Sequence, residues 1–171
     1  VKGLLLHSVG CPVSEAMRFV STWNPPKNRI GCVHAFIDSN DGVIYQTLPW
    51  DMRGRHSGGS ANATHIGVEM CESETLKYIT NFTFECSDIE KAREQVRRVY
   101  GVAVELFAYL CDKFSLDPLG ENVIISHSEA YYRGMGSDHF DPEHLWSGLG
   151  LEYTMDGFRS DVNEFLIKNY K

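Results

Sequence analysis

The sequence predicts a single α/β domain: a central mixed β-sheet flanked by helices, with the chemistry gathered at the carboxyl ends of central strands. Three observations lead there. Two short apolar runs, Leu4-Leu5-Leu6 and Val123-Ile124-Ile125, have the unbroken hydrophobicity of strands buried on both faces, and each runs into a histidine, His7 and His127. A long stretch from Ile89 to Leu110 repeats its apolar residues at intervals of three and four, the spacing of a helix with one face on a core. Strand-like and helix-like segments are interleaved along 171 residues, a length that suits one core, and this order builds a sheet covered by helices.

Lys2 to His7 is the first, buried strand. Ser14 to Trp23 carries Ala16, Phe19, Val20 and Trp23 at helical spacing, and Asn24-Pro25-Pro26 ends it. Gly31 to Asp38 and Val43 to Leu48 are strand-like, and Ser39-Asn40-Asp41-Gly42 between them is a hairpin signal. Arg53 to Ala63 is a Gly- and Ser-rich loop, and Thr64 to Cys71 a strand. Ser87 or Asp88 caps the long helix, which runs to Phe114. Gly101 in its middle costs about 1 kcal/mol against Ala, which marks it as a close packing contact. A turn at Asp117-Pro118-Leu119-Gly120 leads into a strand, Asn122 to Ser126. Ser128 to Phe140 is a polar, Gly-rich connection, Pro142 to Trp146 a short helix, and Asp156 to Tyr170 the last one. Ser73 to Cys86 has no readable pattern.

Composition narrows the function. The net charge of −7 disfavours nucleic acid, because phosphate contacts need clustered Lys and Arg. The densest basic group, Lys91, Arg93, Arg97 and Arg98, alternates with Glu90 and Glu94 and reads as a solvated helix face. No apolar run approaches the ~20 residues that span a bilayer, so membrane insertion is not expected. The five cysteines are widely spaced with no CxxC pair, which speaks against a cysteine zinc knuckle and for buried free thiols.

The seven histidines carry more information. Side by side, the strands ending at His7 and His127 bring two imidazoles to one edge of the core, where α/β sheets gather ligands. Two converging imidazoles need one further donor to make a catalytic metal site. The alternative is two unrelated histidines, each bonded to a backbone carbonyl. Asp141, in Asp138-His139-Phe140-Asp141-Pro142, is the third candidate, though Asp before Pro also suits a helix cap. His139 lies two residues earlier, on the same side of an extended segment, as a fourth ligand or as a neighbouring hydrogen-bond donor. Three protein ligands leave a position open for water, so the second role is preferred. Glu69 sits in the apolar strand Ile66-Gly67-Val68-Glu69-Met70-Cys71, where a carboxylate is costly unless it faces a polar site. There it suits a general base; an edge position facing solvent is the other reading. His34 and His56 are candidates for substrate binding, each with a structural reading beside it.

Taken together, these residues resemble the zinc-dependent N-acetylmuramoyl-L-alanine amidases, a family that includes phage endolysins, bacterial autolysins and animal peptidoglycan recognition proteins. The family pattern of a strand ending in a ligand His is matched by His7. Its His-aromatic strand and D-G-x-I-Y-Q segment are matched by Val33-His34-Ala35-Phe36 and by Asp41-Gly42-Val43-Ile44-Tyr45-Gln46. Its H-x-G loop, I-G-[IV]-E strand, S-H motif and D-P motif are matched by His56-Ser57-Gly58, Ile66-Gly67-Val68-Glu69, Ser126-His127 and Asp141-Pro142. Each piece is weak alone, and their order along the chain is the signal.

The resemblance implies Zn2+ bound by His7, His127 and Asp141, Glu69 as catalytic acid/base, and peptidoglycan muramyl peptides as the partner. Relatives often place Lys two residues before the third ligand, where it stabilises the oxyanion; here His139 stands there, whose charge is lost nearer neutral pH. A Tyr used by some relatives near the His34 strand is absent, since Cys32-Val33 precede His34. The resemblance further implies one amidase domain, residues 1–171, as a monomer acting at the bacterial cell wall. No signal peptide is visible, which fits a phage endolysin. No wall-binding repeat is present, so a fragment of a longer lysin with a separate wall-binding domain is the other reading. Two rival readings are a non-catalytic peptidoglycan-binding module of the same fold and a zinc peptidase acting within the stem peptide.

Overall fold

The computed structural model describes residues 1–23 and 31–171. Along the chain the elements are β1 (Gly3–Ser8), α1 (Ala16–Trp23), β2 (Ala35–Ile37), β3 (Ile44–Gln46), a 3₁₀ turn (Ser60–Ala63), β4 (His65–Met70), β5 (Leu76–Tyr78) and β6 (Phe84–Cys86). There follow α2 (Ile89–Phe114), β7 (Ile124–Ser126), α3 (His127–Tyr132), α4 (Glu143–Gly148) and α5 (Met155–Tyr170). The main sheet has the order β3-β2-β4-β1-β7. β1 pairs in parallel with β4 and β7, β4 in parallel with β2, and only the edge strand β3 runs antiparallel. This is the mixed sheet flanked by helices that the sequence predicts.

Every residue of β1 is buried. A parallel strand with neighbours on both edges and layers on both faces has no wet side, which is why Leu4-Leu5-Leu6 is unbroken. Side chains alternate between the faces. Leu4, Leu6, Ile66, Val68 and Ile124 join one core with Val99 and Phe107 of α2 and Phe158 and Val162 of α5. Leu5 and Ile125 turn the other way and pack with Ala61 and Ala130. His7 follows Leu5 by two residues and stands opposite Glu69 in the register. Both therefore lie on this thinner second face, at the carboxyl ends of their strands.

The long helix begins where Asp88 accepts a hydrogen bond from the Lys91 N–H, and ends at Ser115, whose φ of 53° leaves the helical region. Gly101 does not mark a close contact: a side chain there would meet open space. The strands β2 and β3 are shorter than the sequence suggests, because the chain before β2 turns to bridge Cys32 with Arg55. The connection expected from Ser128 to Phe140 begins instead as α3. Ser126 and Glu129 form a reciprocal capping box that starts this helix at His127. The unread segment from Ser73 to Cys86 holds an antiparallel hairpin, β5–β6, outside the main sheet. All five cysteines are free, with Cys71 and Cys111 buried. The helix stop expected at Asn24-Pro25-Pro26 lies outside the described residues.

The α2–α5 packing generates a stability prediction. Phe158 is fully buried edge-on to Phe107 and Tyr100. Phe158→Ala should lower the unfolding free energy by about 3–5 kcal/mol in a denaturant titration. Tyr132, 79% exposed, should cost less than about 0.5 kcal/mol when replaced by Ala. Equal losses at the two positions would remove α5 from the core.

Candidate metal centre and active site

The parallel register of β1 with β4 places His7 level with Glu69, and that of β1 with β7 places Leu6 level with Ser126, so His127 emerges as the first residue of α3 beside His7. The following loop returns along the strand ends and presents Asp141. Its Oδ2 lies 3.1 Å from His7 Nδ1 and accepts from the Ser8 N–H at 3.3 Å. Its Oδ1 lies 3.4 Å from His127 Nδ1. The three side chains are buried, and one ligand atom from each lies within 4.8 Å of the others. The competing role of Asp141 as a helix cap is not what the structure shows: α4 starts at Glu143 after Pro142, with no side-chain cap bond.

Hydrogen-bond bookkeeping fixes what these atoms offer. His56 Nε2 lies 3.2 Å from the His65 carbonyl oxygen, which can only accept, so Nε2 carries the hydrogen. Burial, reinforced by the neighbouring imidazoles of His7 and His34, pulls the His56 pKa well below its ordinary value, so the ring is neutral. Its Nδ1 is then an acceptor, and His7 Nε2, 3.0 Å away, must donate. Burial also pulls His7 down to about 4, so at neutral pH its Nδ1 is a bare lone pair facing the Asp141 carboxylate. His127 repeats the hydrogen-bond pattern: its Nε2 donates to the Ser57 carbonyl at 3.2 Å, and its Nδ1 faces Asp141. Burial works to raise the Asp141 pKa, but the flanking His127 and His7 outweigh it and hold the carboxyl below its ordinary range.

Two imidazole Nδ1 atoms and a carboxylate thus converge, an arrangement that suits a cation. A tetrahedral shell with bonds of ~2.0–2.2 Å sets its ligand atoms about 3.3 Å apart, close to the observed separations of 3.1 and 3.4 Å. Two imidazole nitrogens and one carboxylate oxygen form a donor set suited to zinc.

Glu69 lines the same cleft, only 5% exposed, and its Oε2 has no hydrogen-bond partner. Burial, then the charges of Asp141 and Glu72, push its pKa well above the ordinary value. His139 stands outside the three-donor cluster, on the exposed rim. Its ring stacks on His127 at 3.9 Å between centroids and 14° between planes, and its Nδ1 is 3.1 Å from Ser137 Oγ. The cleft has a volume of about 400 Å³, and its lining includes Trp23, Asn81 and Phe140 besides these groups.

His34 and His56 are placed differently from each other. His34 is buried, accepts from the Gly67 N–H at 2.9 Å and donates to the Met52 carbonyl at 2.8 Å, so both ring nitrogens are held by backbone away from the cleft. His56 does reach the cleft, but with its nitrogens committed to His7 and the His65 carbonyl. Gly67 makes this possible: a Cβ there would sit 2.5 Å from the His56 ring. The loop carrying His56 is shaped by Asn62, whose side-chain oxygen accepts from the N–H groups of His56 and Ser57.

Sequence reasoning passed over several supporting residues. Ser126 Oγ donates to Glu143 at 2.6 Å and so ties α4 to the start of α3, and Glu129 is held by Arg159 from α5 at 2.9 and 3.0 Å. The Ser-x-x-Glu spacing of Ser126 and Glu129 was a readable signal for this junction. Glu72, fully buried, accepts from the Gly10 N–H and the Tyr78 hydroxyl, and Tyr78 in turn meets His144 Nε2 at 2.8 Å. Burial raises the Glu72 pKa to about 7.

Known proteins share the family and the fold. A family model described as N-acetylmuramoyl-L-alanine amidase matches residues 1–144. Among solved structures, the chain is similar to the Staphylococcus aureus hydrolase AmiA in complex with its ligand, with a TM-score of 0.71 and 21% identity over 97% of this chain and 73% of that one. It is also similar to the E. coli amidase AmiD, with a TM-score of 0.55 and 17% identity over 90% of this chain and 58% of that one. The amidase LysC from Clostridium intestinale gives a TM-score of 0.52 and 17% identity over 88% and 86% of the two chains. No curated protein matches the chain by sequence. With the family model matching residues 1–144, the chain belongs to the N-acetylmuramoyl-L-alanine amidase family, enzymes that cut amide bonds of peptidoglycan.

Proposed function

We propose that the protein hydrolyses the amide bond joining N-acetylmuramic acid to L-alanine in bacterial peptidoglycan, with one zinc ion held by His7, His127 and Asp141. The observation that carries this reading is the convergence of two imidazole Nδ1 atoms and a carboxylate beside the buried, unpartnered carboxyl of Glu69. The E. coli AmiD structure, to which the fold is similar, is a complex with the substrate anhydro-N-acetylmuramic acid-L-Ala-D-γ-Glu-L-Lys, which supports the choice of bond. A cleft of about 400 Å³ suits the muramoyl-alanine junction. The reaction takes place at the cell wall.

Zinc bound there supplies Lewis acidity to the attacking water and the scissile carbonyl. The protein's own groups do the rest. His56 and the Ser57 carbonyl orient His7 and His127, so that both present Nδ1 toward Asp141. Glu69 takes a proton from the attacking water and returns it to the leaving L-alanine amine. Burial raises the Glu69 pKa, which suits a group that both accepts and releases a proton, and a cation held beside it would favour the ionised form. His139, on the rim above His127, donates a hydrogen bond to the carbonyl oxygen as negative charge grows on it. His34 acts through the backbone it holds.

Glu69→Gln should lower the rate of L-alanine amine release by about 10²–10⁴-fold while metal content per chain is unchanged. Near-native rates from this variant would remove Glu69 from the proton path. Chelation should abolish activity and zinc restore it. Free zinc at a hundred times its Kd should raise the unfolding free energy by about 2.7 kcal/mol, and a melting temperature insensitive to zinc would contradict the site.

In the metal-free protein, the raised pKa of Glu69 means that the folded state holds a proton that the unfolded state releases above the ordinary value of 4.5. Stability from this group therefore falls as pH rises above that value. Glu69→Gln should be the more stable protein at pH 7 and lose that advantage below about pH 4.5. Parallel stability curves for the two proteins across this range would show that Glu69 is not desolvated.

A further inference from the structure

A second groove adjoins the cleft. It lies between the β5–β6 hairpin and α4, has a volume of about 720 Å³, and shares Phe140 and His144 with the cleft lining. The hairpin that forms its wall is docked firmly. Phe84 packs on α4 where Gly148 leaves room, since a Cβ there would fall 2.5 Å from the Phe84 ring, and Tyr78 bonds His144. At the hairpin tip, Phe82 is 47% exposed and Phe140 38% exposed, yet the two rings contact each other at 4.7 Å between centroids. The turn beneath Phe82 is ordered before any ligand arrives. Thr80 Oγ1 accepts from the N–H groups of Phe82 and Thr83 and meets Thr83 Oγ1 at 2.7 Å. Exposed aromatic rings on a preorganised turn beside a cleft are a binding feature, because a ring offers a large contact face at low cost in conformational entropy.

We propose that this groove is a glycan subsite, holding the N-acetylated amino-sugar rings that neighbour the muramoyl residue in the cleft. The proposal rests on the amidase reading above and extends it to the substrate's polymeric part. Charge selects the sugar strand over the stem peptide. A stem peptide such as L-Ala-D-γ-Glu-L-Lys carries two free carboxylates against one amine, and its net negative charge calls for a cation. The groove lining holds no Lys or Arg: its titratable side chains are Glu143, His144 and Tyr153, and both ring nitrogens of His144 are engaged, with Tyr78 and the Phe140 carbonyl. Sugar rings are neutral. Their C–H faces stack on Phe82 and Phe140, and their hydroxyl and acetamido groups find Thr83, Ser147 and Thr154 along the walls. Continuity through Phe140 lets one strand lie in the cleft and the groove together.

The test is a backbone-amide NMR titration of the zinc-loaded protein with an N-acetylglucosamine tetramer, which has no lactyl amide to be cut. The proposal expects saturable shifts at Thr83, Ser147 and Thr154. It expects about three- to tenfold weaker binding in Phe82→Ala and recovery in Phe82→Tyr. Because Phe82 is half exposed at a hairpin tip, its removal leaves the core untouched. Shifts confined to other surfaces, or an unchanged Kd in Phe82→Ala, would overturn the subsite. Displacement of the tetramer from the groove by a sugar-free stem tripeptide at lower concentration would assign the groove to peptide instead. Tetramer binding with these Phe82 effects, but without release of the L-alanine amine from cell walls, would confirm a sugar site while overturning the assignment of the cut bond.

Discussion

The pairing of β1 between β4 and β7 is the constraint on which the rest depends. A parallel strand hydrogen-bonded on both edges and covered on both faces cannot slip by one residue without turning Leu4 and Leu6 out of the core and His7 into it. The register that keeps the leucines packed also sets His7 level with Glu69 and brings the end of β7, hence His127, to its side. Core packing and site geometry are one arrangement seen from two faces of a sheet. The thick face, with α2 and α5, supplies rigidity. The thin face, closed by loops and short helices, leaves room for polar groups and a cleft.

Those polar groups are concentrated at some cost. Asp141, Glu69 and Glu72 are all buried at one end of the sheet, where Asp141 raises the pKa of both glutamates and Glu72 raises that of Glu69. Asp141 and Glu72 are compensated by hydrogen-bond donors, whereas one oxygen of Glu69 is not. An uncompensated carboxyl in a dry setting is a poor contributor to stability and a good acid or base. The histidines answer to the same logic. His56 is locked by the His65 carbonyl, His7 by His56, and His127 by Ser57, so the donor set is decided by backbone acceptors several residues away from any ligand atom.

Much of this was legible in the sequence, and the reasons differ by residue. His7 and His127 stood out because each ends an unbroken apolar run, which fixes both its element and its end of the sheet. Glu69 stood out because a carboxylate within such a run needs a polar destination. Asp141 was ambiguous, since Asp-Pro before a helix has a structural use that only the absence of a cap bond removes. The roles of His34 and His56 were not readable, because contacts to backbone carbonyls and N–H groups have no residue-type signature. The β5–β6 hairpin was hidden for another reason. Its strands are three residues each, partly exposed, and carry the surface pair Lys77 and Glu85, so no buried alternation announces them. α3 was overlooked although its capping box was written in Ser126 and Glu129.

The family pattern ends at residue 144, but the architecture does not. Arg159, on α5, grips Glu129 and the Ile124 carbonyl, and Glu129 is the residue that closes the cap at the start of α3, where His127 sits. Phe158, Val162 and Leu166 seal the core that β1 and β7 share. The transplantable unit is therefore larger than the recognisable one. A chimera that joined this part to a foreign wall-targeting module at the edge of the family match would sever the brace behind His127, whereas a junction beyond Tyr170 would leave it whole.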